Sequence, residues 1–350
     1  MHRSHIVALL TGIVLFMLAL RTLSTLLGLL FEDADLDVVR PSELPASTST
    51  LDSSLPQLIP KIIHQTYINN SIPERWREAQ ESCIKMHPDY EYKFWSDEDS
   101  LAFIEKEYPW SLDTFVSYPH PIQRADAIRY FVLVHYGGIY IDLDNGCRRR
   151  LDPLLTFPAW LHLTDPTGIS NDGMGATPRH PFFLYVIEQL QNYDRSWVLP
   201  YLTIMSTTGP LFLSVVWKRY MDLHAKKGED WNGRVRILTF DQYAQQDESF
   251  FNMWGGSSWH GDDAKFFLWL GDHWLMTTLI GVSIGAVVCC GIWWEVSRRM
   301  LQRRKSANHA AFELGSLPAL QPRRFRLRLG RTLGWREKNP SYEIVEQHIT

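Results

Sequence analysis

Cysteine is scarce in this chain, with four residues in 350. Cys289 and Cys290 are adjacent inside an apolar segment, so only Cys83 and Cys147 remain for a bridge elsewhere. Their spacing alone leaves open whether they form one. No Ser-His-Asp arrangement and no closely spaced Cys-His pair occurs, which removes the usual signatures of covalent nucleophilic catalysis. Internal repeats and heptad runs are also missing, which excludes solenoid and coiled-coil architectures. A basic excess is lacking too: the formal net charge is −4, and nothing in the pattern points to nucleic acid. Long apolar runs are confined to the two ends.

Ile6 to Leu20 is uncharged, Arg21 follows, and Leu23 to Phe31 is apolar again. No small-x-small cleavage site precedes the acidic Glu32-Asp33-Ala34-Asp35, so residues 6–31 read as an uncleaved signal anchor. Trp274 to Trp294 is uncharged and long enough to cross a bilayer of ~30 Å as a helix. Trp274 and Trp293-Trp294 sit at its ends, with Arg298-Arg299 just beyond, and a span over 274–296 is expected. Arg3 on one side and Arg298, Arg299, Arg303, Arg304 and Lys305 on the other place both termini, 1–5 and 297–350, in the cytosol. Between 32 and 272 there are 34 acidic and 21 basic residues, a net of −13. From Glu295 onward 12 basic and 5 acidic residues give +7, consistent with a tail lying against a membrane. Residues 32–58, rich in Ser, Thr, Asp, Pro and Leu, read as a stem, and 59–273 as a lumenal catalytic domain. Asn69-Asn70-Ser71 is a glycosylation sequon, compatible with that placement.

Within 59–273, Lys61 to Thr66 is predicted to be a buried strand, Glu74 to Lys85 a helix and Tyr90 to Trp95 a strand, with Ser96 capping the next helix. Alternation continues to Asp144 and implies a largely parallel sheet covered on both faces. Beyond Asp152 the pattern loosens into loops around 165–180, with helices near Phe182–Asn192 and Leu211–Met221. The densest chemistry lies between Gln123 and Asp144. A helical segment carries Arg124, Asp126 and Arg129, stops at Gly137-Gly138 and feeds a strand ending in Asp142-Leu143-Asp144. Period-two alternation sends both aspartates to one side of that strand, the reach needed for one hard cation. Asp126 and Arg129 are three apart and share a helix face. Two carboxylates for a metal, with an acid and a guanidinium nearby, suit a metal-bound diphosphate attached to a hydroxyl-rich group, as in a nucleotide sugar. Thr66, Trp95 to Asp97 and Asp142 to Asp144 all fall at the carboxyl ends of strands, where ligands of such sheets collect.

The run Arg124-Ala125-Asp126-x-x-Arg129-Tyr130, an apolar stretch, then Gly137-Gly138-x-Tyr140-x-Asp142-x-Asp144 resembles the signature of glycosyltransferases with a GT-A fold, family 32 in particular. The resemblance extends from Ile59 to about Trp269. Asn145 to Leu154 and Gly256 to Asp263 are similar to the branch that adds mannose to inositol phosphoceramide. It implies an α/β, GT-A-like single Rossmann-type nucleotide-sugar-binding domain flanked by N- and C-terminal transmembrane helices. It also implies transfer from GDP-mannose to an inositol phosphoceramide lipid with retention of configuration, Mn²⁺ (or Mg²⁺) as cofactor, a Golgi or endoplasmic reticulum membrane, and a membrane regulatory subunit.

By the same resemblance, Asp144 would be a direct metal ligand, Asp142 would hold ribose or metal, and Asp126 and Arg129 would grip the transferred sugar. His260 or Ser258 would supply a late ligand beside Trp259, although Phe251-Asn252-Met253-Trp254 stands where many relatives carry a histidine. Thr66, Arg124, Asn171, Asp172 and Thr208-Gly209-Pro210 are further candidates around the donor or acceptor. Arg148-Arg149-Arg150 is either a partner for an anionic headgroup or a solvated surface run. Two other readings are an enzyme of the family acting on glycoprotein glycans or another glycolipid, and a catalytically silent lumenal subunit. The C-terminal apolar segment argues against a glycoprotein enzyme, and the intact aspartates against silence.

Overall fold

The computed structural model describes residues 37–44, 56–164, 167–224, 231–245, 248–256 and 261–315, with side chains to Ser306, and two isolated residues, Val14 and Met17. The expected anchor, apart from those two, and the tail beyond 315 lie outside the described residues. The chain divides into two units, Met1–Asp272 and His273–Thr350.

The first unit contains strands β1 (Ile62–Thr66), β2 (Glu91–Trp95), β3 (Gly138–Ile141), β4 (Asn145–Cys147), β5 (Ala159–Leu163), β6 (Ile169–Ala176), β7 (Arg236–Leu238) and β8 (Phe251–Met253). Its helices are α1 (Glu74–Met86), α2 (Asp97–Glu107), α3 (Leu112–Ser117), α4 (Pro121–Tyr136), α5 (Pro181–Tyr193), α6 (Pro200–Thr207), α7 (Pro210–His224) and α8 (Asp262–Asp272). Six strands form one sheet in the order β2-β1-β3-β6-β5-β7, and β4 pairs with β8 in a small second sheet. β1 runs parallel to β2 and β3. β6 runs antiparallel to both β3 and β5. β7 runs parallel to β5. The expectation of a largely parallel sheet therefore holds for β2-β1-β3 and for β5-β7, and β6, antiparallel between them, makes the whole mixed. The cause is connection length: Gly168, at φ 96°, turns the chain back from β5 into β6, and so short a link can join only antiparallel neighbours. The stretch expected as loops around 165–180 is in large part β6.

Helix α4 carries the motif and its ends are locally determined. Pro121 opens it without wasting a donor, and the His120 N–H donates to Gln123 Oε1 at 3.1 Å. Gly137, at φ 65°, ends it. A Cβ at Gly138 would meet Ile62 O at 2.7 Å, so only glycine lets β3 lie this close to β1. From Ala127 to Val134 every residue of α4 is buried. One core joins Phe131 and Leu133 to Phe182, Phe212 and Trp217 from α5 and α7. A second, on the other side of the sheet, joins Ile63, Ile141, Trp160, Tyr243 and Phe251.

Residues 37–44, expected as part of a spacer, instead belong to the folded unit. Val39 is fully buried, and Val38 bridges to Ile237 in parallel. Arg236 holds Glu43 at 2.8 Å, and Arg234 holds Asp37 at 2.7 Å. Apolar burial plus two half-buried ion pairs outweigh the weak local propensity of this segment.

Cys83 and Cys147 are joined in a disulfide that ties α1 to β4 across 64 residues. Opening a loop of that length is expected to cost about 4 kcal/mol of stability by the loop-entropy relation. A lower unfolding midpoint for Cys83→Ala/Cys147→Ala in denaturant would register it, and an unchanged midpoint would contradict it.

The second unit is described from its single long helix, α9 (Trp274–Gly315). Its stretch Trp274–Ser306 is long and apolar enough to cross a membrane, with mean hydropathy 2.2 and none of its apolar window buried.

Candidate active site

A cleft of about 270 Å³ opens at the carboxyl ends of β1 and β3, lined among others by Thr66, Trp76, Asp97, Arg129, Asp142 and Asp144. The two aspartates do not lie on a strand. β3 ends at Ile141, and both follow it in a turn entering β4. Backbone hydrogen bonds shape that turn: the Asp142 N–H donates to Asp172 O at 2.8 Å, and the Asn145 N–H to Asp142 O at 3.0 Å. Gln65 Nε2, from β1, also donates to Asp142 O at 3.4 Å. Both carboxylates reach the cleft by this turn rather than by strand alternation.

Arg129 organises the interior wall. It is 3% exposed, with Nη2 3.1 Å from Asp126 Oδ1 and Nη1 3.2 Å from Asp142 Oδ1. Nη1 also donates to Asn171 O at 2.7 Å, and the guanidinium lies 4.6 Å from the centre of the Tyr140 ring. Tyr140 Oη donates to the same Asp142 oxygen at 2.7 Å. Asp126 sits behind Arg129 and not on the cleft wall, accepting from Asn171 Nδ2 at 3.0 Å and Thr208 Oγ1 at 3.2 Å. Asp126 and Arg129 thus share a face as expected, but it is an inward face, and only Arg129 reaches the cleft. Asn171 and Thr208 serve Asp126; Thr66 lines the cleft and donates to Trp95 O at 2.9 Å.

Arg124 does not line the cleft. Its Nη1 donates to Tyr118 O at 3.2 Å and its Nη2 lies 3.9 Å from Asp97. Asp172, expected in a loop, is in β6 and supports the aspartate turn from behind. It accepts from Asn145 Nδ2 at 2.9 Å and from Ser170 Oγ, and its Oδ1 lies 2.5 Å from His162 Nε2. Burial works to raise this carboxyl, but His162, Ser170 and Asn145 outweigh it and hold it well below the usual range. His162 stacks on Tyr243 at 3.4 Å, completing the support. Arg150 does not line the cleft; it is bound to Asp89 at 2.8 Å and Asp152 at 2.6 Å. Arg148 and Arg149 reach Asn252 and Glu248 O.

Asp144 is the freer carboxylate. Among the described residues no other side chain donates to it, whereas Asp142 is held by Tyr140 and Arg129. The Trp254 N–H donates to Asp144 O at 2.7 Å, and Trp76 Nε1 to Gly255 O at 3.4 Å. These bonds bring Gly256 against Asp144, where a Cβ would overlap Oδ2. Gly256→Ala is accordingly expected to displace the carboxylate while leaving the fold intact. Turnover should fall by about 10- to 100-fold, as for a misplaced reacting group, with an unchanged unfolding midpoint. Ser258, Trp259 and His260 lie outside the described residues.

The family described as "Glycosyltransferase sugar-binding region containing DXD motif" matches residues 73–160, which include α4 and the aspartate turn. The mannosyl phosphorylinositol ceramide synthase CSH1 of Saccharomyces cerevisiae is 54% identical over 269 residues, covering 76% of this chain and 71% of that protein. The chain belongs to the mannosyl phosphorylinositol ceramide synthase family of glycosyltransferases. The synthase SUR1 of the same yeast is 49% identical, covering 79% of this chain and 72% of that one. Inositol phosphoceramide mannosyltransferase 2 of Schizosaccharomyces pombe is 48% identical, covering 68% and 70%. Among solved structures, "PaToxG Glycosyltransferase" aligns with TM-score 0.38 and 21% identity, over 48% of this chain and 72% of that one. The α/β fold is GT-A-like, with a mixed sheet, and the chain is a glycosyltransferase.

Glycosyltransferases with this motif generally use a divalent metal. The residues present fit one in part: two cleft-facing carboxylates give hard oxygen donors, and the absence of a side chain at Gly256 leaves the Asp144 oxygens uncovered. Among the described residues no group of three or more His, Cys, Asp or Glu side chains is placed to hold an ion. Further donors would therefore come from the diphosphate or from the segment after Gly256. Burial pushes Asp142 up to about 7 against the pull of Arg129, with Asp144 and Asp172 adding to the rise. Asp144 is raised by burial and by Asp172. Asp142, raised in this way, holds its proton below pH 7, and an incoming cation must displace it. Divalent-cation affinity is expected to fall about tenfold per pH unit below 7 and to level off above about pH 8. Calorimetric titration with Mn²⁺ across that range tests it, and a flat profile would contradict it.

Sequence reasoning missed Trp76, Tyr67, Ile68 and Pro121 of the cleft wall and the His162–Tyr243 support. The Gly255-Gly256 pair, adjoining a Trp, was the one readable sign of a close backbone approach.

Proposed function

We propose that this chain transfers mannose from GDP-mannose to the headgroup of inositol phosphoceramide, forming mannosyl inositol phosphoceramide, on the lumenal side of a Golgi or endoplasmic reticulum membrane. The observation that carries the reading is the convergence of Asp144, Asp142 and Arg129 on one cleft, in a chain whose similar relatives are named for this reaction.

Asp144, with Asp142, would hold Mn²⁺ or Mg²⁺ against the diphosphate, and the ion would neutralise charge developing on the leaving group. Arg129 holds Asp142 in place and adds a positive charge to the cleft wall. The bond between the anomeric carbon and the β-phosphate oxygen breaks, and an inositol hydroxyl oxygen bonds to the same carbon from the same face, retaining configuration. The hydroxyl proton passes to the departing phosphate, so GDP leaves and no protein base is required. Residues 274–296 would span the membrane with the basic tail from 297 in the cytosol, residues 6–31 would form a second anchor, and a membrane regulatory subunit would accompany the chain.

Donor competition tests the sugar-nucleotide assignment. Microsomes containing the chain and inositol phosphoceramide are offered equal GDP-mannose, UDP-galactose and UDP-glucose. Hexose incorporation from GDP-mannose alone is expected, and preferential use of a UDP-sugar would overturn the donor.

A further inference from the structure

Helix α8 ends at Asp272, two residues before the apolar helix begins at Trp274, and it turns large apolar side chains toward solvent. Phe266 is 54% exposed, Leu268 49% and Trp269 45%. Its opposite side is anchored: Ala264 is buried, Phe267 stacks on Tyr201 at 5.6 Å, and Asp263 Oδ2 accepts from the Tyr201 N–H at 2.7 Å. The connection leading to Tyr201 is apolar and exposed as well, with Trp197 at 54% and Val198 at 98%. Trp197 is held in place by its Nε1 donating to Ser206 Oγ at 2.9 Å. Two segments that border Tyr201 therefore both present aromatic and aliphatic side chains where a water-facing surface would carry polar ones.

We propose that this surface seats the catalytic unit in the interfacial layer of the bilayer. The proposal rests on the reading that residues 274–296 span the membrane. Chain continuity selects lipid as the occupant. Helical rise to Asp272 and two further residues hold Phe266 within about 17 Å of Trp274, so α8 cannot leave the vicinity of the span's first turn. Composition agrees, because Trp and Phe with aliphatic neighbours partition into the headgroup layer. The charges on α8 are Asp262, Asp263, Lys265 and Asp272, a net of −2. Attraction to anionic lipid is thus not the driving term, and apolar partitioning is, so the seating should occur on zwitterionic membranes and resist salt. Its consequence is that the ceramide tails need not leave the bilayer for the headgroup to meet the enzyme.

The test uses the full chain in phosphatidylcholine proteoliposomes, with Cys289 and Cys290 changed to Ser and the Cys83–Cys147 bridge kept. A bimane reporter is attached through Leu268→Cys, and in separate samples through Lys85→Cys and Val288→Cys. At 268, quenching by a shallow doxyl lipid is expected to exceed quenching by aqueous iodide about threefold, unchanged in 1 M salt, as for an interfacial helix. Position 85 should respond to iodide alone. A deep doxyl lipid should quench position 288, and failure there would refute the spanning reading itself. With 288 quenched, an iodide-accessible reporter at 268 would overturn the proposal. So would one shielded from both quenchers, which would assign the surface to a second copy or another subunit.

Discussion

Asp144→Asn is expected to lower mannosyl transfer by about a thousandfold, because removing charge stabilisation at the leaving group raises the barrier by about 4 kcal/mol. The substitution is nearly isosteric, and no other side chain among the described residues donates to this carboxylate. The Trp254 N–H bonds to its backbone oxygen, which the change leaves alone. The unfolding midpoint should therefore stay where it was, while Mn²⁺ affinity drops. Calorimetry and initial rates on the purified full chain measure both. A variant with normal cation binding and a thousandfold lower rate would place Asp144 on the sugar rather than the metal.

Arg129→Met should damage fold and activity together. The guanidinium is buried between Asp126 and Asp142 and is the cation that compensates both. Without it two carboxylates are left without their cation, Asp126 buried and Asp142 at the cleft wall, and breaking such a network costs about 3–5 kcal/mol. Burial raises Asp126 and Asp142 already, so in the variant, without the opposing guanidinium, both are expected to hold their protons to higher pH than in the wild type, and its stability should improve as the solution is acidified. The sign follows from the raised values: a carboxyl that titrates higher in the folded state than in the unfolded one favours folding at low pH. Adding Asp126→Asn to Arg129→Met removes one of the two stranded charges and should recover part of the stability but none of the transfer. Recovery of transfer in the double variant would show that the network, rather than Arg129 itself, is what the reaction uses. Chemical unfolding at several pH values and a transfer assay on the same preparations separate these outcomes.

Much of this was legible in the residues. The Gly137-Gly138 stop, the Ser96 cap and the strand at Lys61–Thr66 each follow from local chemistry, and each appears where that chemistry puts it. Asp142 and Asp144 were identified, but their route to the cleft was misread, because alternation cannot tell a strand's last residues from the turn that follows. Asp172 was misplaced for a related reason: a strand containing Asn171, Asp172 and Gly173 has almost no β propensity, and its partner β3, against which Gly173 pairs with Ile141, is distant in sequence. The inward orientation of Asp126 was hidden because α4 is buried over most of its circumference, leaving no polar stripe to show which face looks out. The pairing of Arg150 with Asp89, 61 residues earlier, left no local signal.

The most direct test is lipid product analysis on microsomes expressing the chain, beside an Asp144→Ala version, with the proposed membrane subunit co-expressed. GDP-mannose, Mn²⁺ and inositol phosphoceramide are supplied, and lipids are resolved by mass spectrometry. One added hexose in the wild-type sample, absent from the variant, is the predicted result. No hexosylated inositol phosphoceramide from the wild-type chain, or equal product from both chains, would contradict it.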